Sequence, residues 1–127
     1  MRRAVLFAYF LFPAALYFAT GVFESGRANF RDDVRFFLPN YLFFTAPQIV
    51  WLVFTAIFRM RPAFLHAGLA GATAALGAIN IVFFCCINNS NGLGWLGYWP
   101  TAIAFMLAAI GIAALLAVAR RHRSHEA

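Results

Sequence analysis

The chain has 127 residues, of which 64% are hydrophobic and only 11% are charged, and its formal net charge is +6. This composition excludes an ordinary soluble domain, in which about 45–50% of residues are apolar. All ten basic residues are arginines. They flank apolar segments and form no basic face, so we expect no binding to nucleic acid.

Four apolar segments that contain no Asp, Glu, Lys or Arg occupy most of the chain. A helix of roughly 20 apolar residues crosses the hydrocarbon core of a bilayer, which is about 30 Å thick. The sequence therefore predicts an all-α membrane protein: a single transmembrane domain over residues 1–127, folded as a four-helix transmembrane bundle. The predicted spans are Ala4–Phe23, Phe37–Phe58, Ala63–Ile87 and Gly97–Ala119.

Prolines lie inside two of these spans. Pro13 and Pro47 each remove one helical hydrogen bond, and we expect a kink at both positions. The carbonyl freed near Phe43 needs another donor, either from Thr45 or Gln48 or from a neighbouring helix. Pro39 and Pro100 are interpreted as first-turn prolines, because the amide lost there has no helical partner.

The segment between the first two spans carries most of the charge found outside the chain ends. Its arginines recur at a spacing of four, and we expect a short interfacial helix after span one. A solvated helix is the simpler interpretation, and an outer-loop interaction surface for an anion or a partner is the alternative. The candidate residues are Arg27, Arg31, Asp32, Asp33 and Arg35.

Small residues recur at a spacing of about four in the last two spans. Small side chains allow helices to approach closely in lipid, where van der Waals contact drives association. We therefore expect spans three and four to pack tightly in the interior, while the Phe-rich spans one and two face lipid. The candidate helix-packing residues are Gly68, Gly71, Ala75, Gly77, Ala109 and Ala113.

Aromatic residues with a polar group cluster at the predicted outer ends of spans two and four. Tyr41, Trp95, Tyr98 and Trp99 have the amphipathic character that favours the membrane interface, with a wet hydroxyl or indole N–H.

Orientation follows from the arginines. Seven lie at the chain ends and between spans two and three, whereas three lie between spans one and two. Cytoplasmic segments carry the excess of arginine, so we expect both termini in the cytoplasm. A chain rich in Ala and Arg without Lys is typical of a GC-rich bacterium, and the expected location is the bacterial inner membrane, multi-pass.

Cys85 and Cys86 are the candidate ligands for a soft metal. Adjacent helical side chains point about 100° apart and do not readily form a disulfide, although vicinal thiolates can bind soft metals. Packing of two small buried groups is the simpler interpretation. His66 is the one histidine inside a predicted span, and a haem would need a second axial ligand from another copy. We expect no cofactor and no metal site.

Asn80 and Gln48 are the most deeply placed uncharged polar residues. Each can hydrogen-bond across helices or line a solute path. The predicted spans contain no acidic residue of the kind on which ion-coupled transport usually depends.

The sequence favours a non-enzymatic protein that packs against another membrane protein or forms a homo-oligomer in the lipid bilayer. An accessory subunit and a protective, immunity-type protein both fit this description. An oligomeric transporter of a small solute or soft metal that uses Cys85 and Cys86 is the alternative. An enzyme that acts on lipid through Asp32, Asp33 and the nearby arginines is the third hypothesis.

Overall fold

The computed structural model contains four helices: α1 (Arg2–Ser25), α2 (Phe30–Ile57), α3 (Pro62–Cys86) and α4 (Tyr98–Glu126). The structure describes residues 2–25, 30–86 and 97–126, with the surroundings of the side chains for residues 3–19, 34–82 and 97–122. This part of the chain includes no strand, which confirms the all-helical class.

Three helices are long and apolar enough to cross a membrane. Their candidate spans are Val34–Ile57 in α2, Pro62–Val82 in α3 and Tyr98–His122 in α4. The apolar stretch of α1 within the described side chains, Arg3–Ala19, is shorter. The chain is therefore a helical protein with the features of a membrane-spanning protein.

The beginning of α2 differs from the sequence-based prediction. A separate interfacial helix was expected after span one, but α2 begins at Phe30 and runs without a break to Ile57. Pro39 consequently lies well inside α2 instead of in a first turn, and α2 contains two internal prolines, Pro39 and Pro47. The carbonyls near both prolines therefore need donors from side chains.

α2 ends in a tight turn that leads directly into α3. The amide of Met60 donates to the carbonyl of Thr55 at 3.0 Å, and the amide of Arg59 donates to the carbonyl of Ala56 at 3.4 Å. These two bonds define a Schellman motif, whose C′ residue is usually glycine because it is left-handed. Arg59 fills that position with φ 47°. Pro62 then begins α3, where its missing amide costs no helical bond.

α3 is the central helix. It packs against each of the other three helices, and its interface with α4 is the most extensive in the molecule. Small and branched side chains line its buried faces, which is why neighbouring helices approach on several sides. The fully or almost fully buried apolar residues of α3 are Leu69, Ala72, Ala75 and Leu76.

α4 is peripheral, so the expectation that spans three and four would both be interior is wrong for span four. In an 18-residue stretch of each candidate span, 39% of the residues are buried in α3, compared with 22% in α2 and 11% in α4. Hydropathy does not distinguish a helix surrounded by protein from one surrounded by lipid, because apolar side chains are compatible with both environments.

The phenylalanines of α2 do not all face lipid either. Phe43 and Phe44 pack on the core cluster formed by Ala75, Leu76, Tyr98 and Ala102. The ring of Phe44 lies edge-to-face with Tyr98 at a centroid distance of 5.6 Å. This aromatic contact joins the middle of α2 to the first turn of α4.

The backbones of α3 and α4 approach each other closely at Gly71. A Cβ added to Gly71 would lie 2.6 Å from the main-chain oxygen of Phe105 and 2.8 Å from the Cα of Met106. Backbone atoms of α4 cannot rotate away as a side chain can, so only glycine allows this separation.

We predict that Gly71→Ala destabilises the protein by about 1–3 kcal/mol, because the added methyl group overpacks the α3–α4 interface. The matched control is Gly77→Ala, whose new Cβ would lie 3.9 Å from the nearest atom, Cζ of Phe12. Thermal unfolding in mild detergent measures both variants. Equal melting temperatures for the two would contradict the close α3–α4 contact.

Candidate functional site

Tyr98 is the side chain that joins α4 to α2. It is fully buried, and its hydroxyl donates to the carbonyl of Phe44 at 2.8 Å. The expectation that the hydroxyl of Tyr98 meets water is therefore wrong. Pro47 lies inside α2 and has no amide to donate to the carbonyl of Phe43, and the hydroxyl of Tyr98 donates to the next carbonyl along. Phe44 supplies this carbonyl, and Tyr98 donates to it from another helix.

The same arrangement occurs where α1 meets α2. Pro13 is buried inside α1, and the carbonyl three residues before it belongs to Phe10. The hydroxyl of Tyr41 donates to that carbonyl at 3.0 Å. In both helix pairs a tyrosine of one helix donates to the carbonyl three residues before an internal proline of the other.

Two other prolines have local donors at the equivalent position. The amide nitrogen Nδ2 of Asn40 donates to the carbonyl of Phe36, three residues before Pro39, at 2.8 Å. The hydroxyl of Thr101 donates to the carbonyl of Gly97, three residues before Pro100, at 2.8 Å. These donors belong to the same helix as the proline and therefore hold no helix pair together.

Gln48 provides a polar contact between α2 and α3. Its Nε2 donates to the hydroxyl of Thr73 at 3.0 Å, and that hydroxyl donates to the carbonyl of Leu69 at 2.8 Å. Gln48 is fully buried, and its Oε1 has no hydrogen-bond partner among the described residues. The side chain of Asn80 is also buried, and its Nδ2 donates within α3 to the carbonyl of Leu76 at 2.8 Å.

Trp51 closes the other end of the α2–α3 interface. Its indole Nε1 lies 3.2 Å from the carbonyl oxygen of Phe64 and 3.3 Å from that of Leu65, within donating distance of both. The indole ring occupies the space that a side chain at Gly68 would need. The absence of a side chain at Gly68 therefore makes room for the indole of Trp51. The sequence did not indicate this role of Trp51, because its partner lies on another helix.

The structure distributes the six candidate packing residues over several contacts. Gly71 faces the α4 backbone, Gly68 faces Trp51 of α2, and Gly77 is nearest to Phe12 of α1. Ala75 is fully buried in the core cluster. Ala109 and Ala113 are half-buried, on the side of α4 that also carries buried Met106. They do not form a single small-residue surface.

Most of the candidate outer-loop residues lie outside the described side chains. Arg27 is outside the described residues altogether, and Arg31, Asp32 and Asp33 lie in the first turns of α2 without described surroundings. Arg35 is exposed, and its guanidinium carbon lies 5.7 Å from the ring centroid of Phe36. The proposed interaction surface therefore stays a prediction.

The candidate metal and haem residues are placed as follows. Cys85 and Cys86 form the end of α3, and their side chains lie outside the described part. His66 is half-buried, with its ring centroid 6.1 Å from that of Tyr9. Its Nδ1 is buried and has no hydrogen-bond partner among the described residues. Within those residues, no group of three His, Cys, Asp or Glu could hold a metal ion.

The comparisons with known proteins add no family to this description. No protein-family model, curated protein or solved structure matches the chain.

We predict that Tyr98→Phe destabilises the protein by about 0.6–2 kcal/mol, because the ring remains while the hydrogen bond from the hydroxyl to the carbonyl of Phe44 is lost. Tyr9→Phe is the control, since the hydroxyl of Tyr9 has no hydrogen-bond partner among the described residues. Thermal unfolding in detergent measures both.

The same experiment tests the role of Pro47. In a Pro47→Ala background the proline ring no longer disturbs this turn of α2, so the carbonyl of Phe44 can pair fully with the amide of Gln48 and Tyr98→Phe should cost less than in the wild-type chain. Additive effects of the two substitutions would show that Tyr98 does not compensate for the proline.

Proposed function

We propose that this protein has no catalytic activity and acts by packing against another membrane protein or a second copy of itself. The observation that carries this proposal is the exposure of α4. Its span has the smallest buried share of the three candidate spans, although one side is held firmly against α3. An accessory subunit or a protective, immunity-type protein would use such a surface.

The exposed side of α4 combines bulky and small residues. Ile103, Leu107 and Leu115 are exposed, and a Cβ added to Gly111 would meet no atom within 4 Å. Exposed Ala104 and Ala108 precede Gly111 on this side. Close approach of a helix in lipid needs small residues with bulky neighbours to fill the space beside them.

We further propose four membrane spans with both termini in the cytoplasm of a bacterial inner membrane. The hydrophobic length of α1 approaches that of a span, and the arginine asymmetry supports this orientation. The short α2–α3 turn would then also face the cytoplasm.

Site-specific photo-crosslinking in cells tests the proposed packing. We predict that a photo-reactive residue at Leu107 in α4 gives a discrete protein adduct, whereas one at Val50 in α2 gives lipid adducts. The two side chains are matched in exposure, at 65% and 63%. The mass of the adduct distinguishes a second copy from another protein. Identical products at the two positions would contradict a specific α4 interface.

Cysteine labelling in intact cells tests the topology. In a chain in which Cys85 and Cys86 are replaced by alanine, we predict that a membrane-impermeant maleimide labels Ser90→Cys and not Ser124→Cys. Permeabilised cells provide the control, since both positions should then react. Labelling of Ser124→Cys from outside intact cells would show that the orientation is wrong.

A further inference from the structure

We propose that one end of the bundle binds the headgroup of an anionic phospholipid. This surface, the arginine end, consists of Arg3 in α1, Arg59 and Arg61 in the α2–α3 turn, and Arg120 and Arg121 in α4. The proposal concerns the lipid around the protein and is independent of the protein partner proposed for α4.

Helix contacts place α1 and the α2–α3 turn at the same end. The rings of Tyr9 in α1 and His66 in α3 are neighbours, with centroids 6.1 Å apart, so they lie at a similar height along the helix axes. With a rise of 1.5 Å per residue, Arg3 lies about 9 Å below this level and Arg61 about 7.5 Å below it.

The end of α4 reaches a similar level. Gly71 of α3 lies beside Phe105 of α4. From that contact, the same rise per residue places Arg61 about 15 Å and Arg120 about 22 Å towards the same end. The five arginines thus belong to one zone, about two helical turns deep along the helix axes.

The charge at this end is strong and accessible. All five arginine side chains are exposed. By sequence, this end has seven arginines and one acidic residue, Glu126, whereas the opposite end has three arginines and three acidic residues. The whole formal net charge of +6 therefore belongs to this end.

The apolar neighbours of the arginines favour a lipid over a soluble anion, RNA or an acidic protein. Ile57 and Phe58 immediately precede Arg59 and are 69% and 63% exposed, and exposed Val118 lies close to Arg120. A guanidinium group can donate two hydrogen bonds to a phosphate, and the adjoining apolar side chains can contact acyl chains. Only an amphiphile with an anionic headgroup matches both surfaces.

Native mass spectrometry of the full chain tests this proposal. The protein is purified in neutral detergent with equal amounts of phosphatidylglycerol and phosphatidylcholine, and the bound lipids are counted. We expect the wild-type chain to retain phosphatidylglycerol preferentially. Removal of Arg59 and Arg61 should reduce this retention by about fivefold for each arginine.

The variants are chosen so that loss of folding cannot imitate loss of binding. Arg59→Gly removes the charge and also suits the left-handed backbone at φ 47°, so the turn should be at least as stable as in the wild-type chain. It is combined with Arg61→Gln. Arg35→Gln, at the other end of the molecule, is the matched control and should retain lipid normally. Melting temperatures are measured on the same samples.

Three results would overturn the proposal. Equal retention of the two lipids by the wild-type chain would show no preference for the anionic headgroup. An equal loss in Arg35→Gln would show that total charge matters and the arginine end does not. Displacement of phosphatidylglycerol by an equal concentration of glycerol phosphate would show that the site recognises a soluble phosphate.

Discussion

The structure depends on the requirement that backbone carbonyls have hydrogen-bond donors where water is absent. A proline inside a helix breaks that pairing, and in a bilayer an unsatisfied polar group costs several kcal/mol. Pro47 creates this situation in the middle of α2, and Tyr98 of α4 supplies a donor to the neighbouring carbonyl of Phe44. A specific contact between two helices thus lies directly beside the local defect in one of them.

That contact also fixes how α4 lies along α3. Tyr98 is in the first turn of α4, and its ring belongs to the same buried cluster as Ala75 and Leu76 of α3. Tyr98 fixes the first turn of α4, and two turns further along the helix Met106 lies against Gly71. Directional hydrogen bonding at one end and close backbone approach further along are complementary, because van der Waals contact alone permits a helix to slide or rotate.

Sequence reasoning predicted the helices well and their neighbours poorly. Apolar length identified the segments around α2, α3 and α4, because the thickness of a bilayer sets a minimum length for a spanning helix. It also identified Pro47 as a residue whose freed carbonyl would need a donor. It placed Tyr98 at the wet interface, since a tyrosine near a span end has the same sequence pattern whether its hydroxyl meets water or a distant carbonyl. The peripheral position of α4 was missed for a related reason, because its apolar residues match both lipid and protein.

The separation of Tyr98 from Phe44 in the chain has a consequence for biogenesis. The two residues are 54 positions apart, whereas Tyr41 and its acceptor Phe10 are 31 apart. At a synthesis rate of about 5–20 residues per second, α2 is complete several seconds before the first turn of α4 leaves the ribosome. During that interval α1 and α2 can already form the hydrogen bond from Tyr41 to Phe10, whereas Tyr98 is not yet present to donate to the carbonyl of Phe44. We expect the contact between α2 and α4 to form last, after α1 and α2 have already paired.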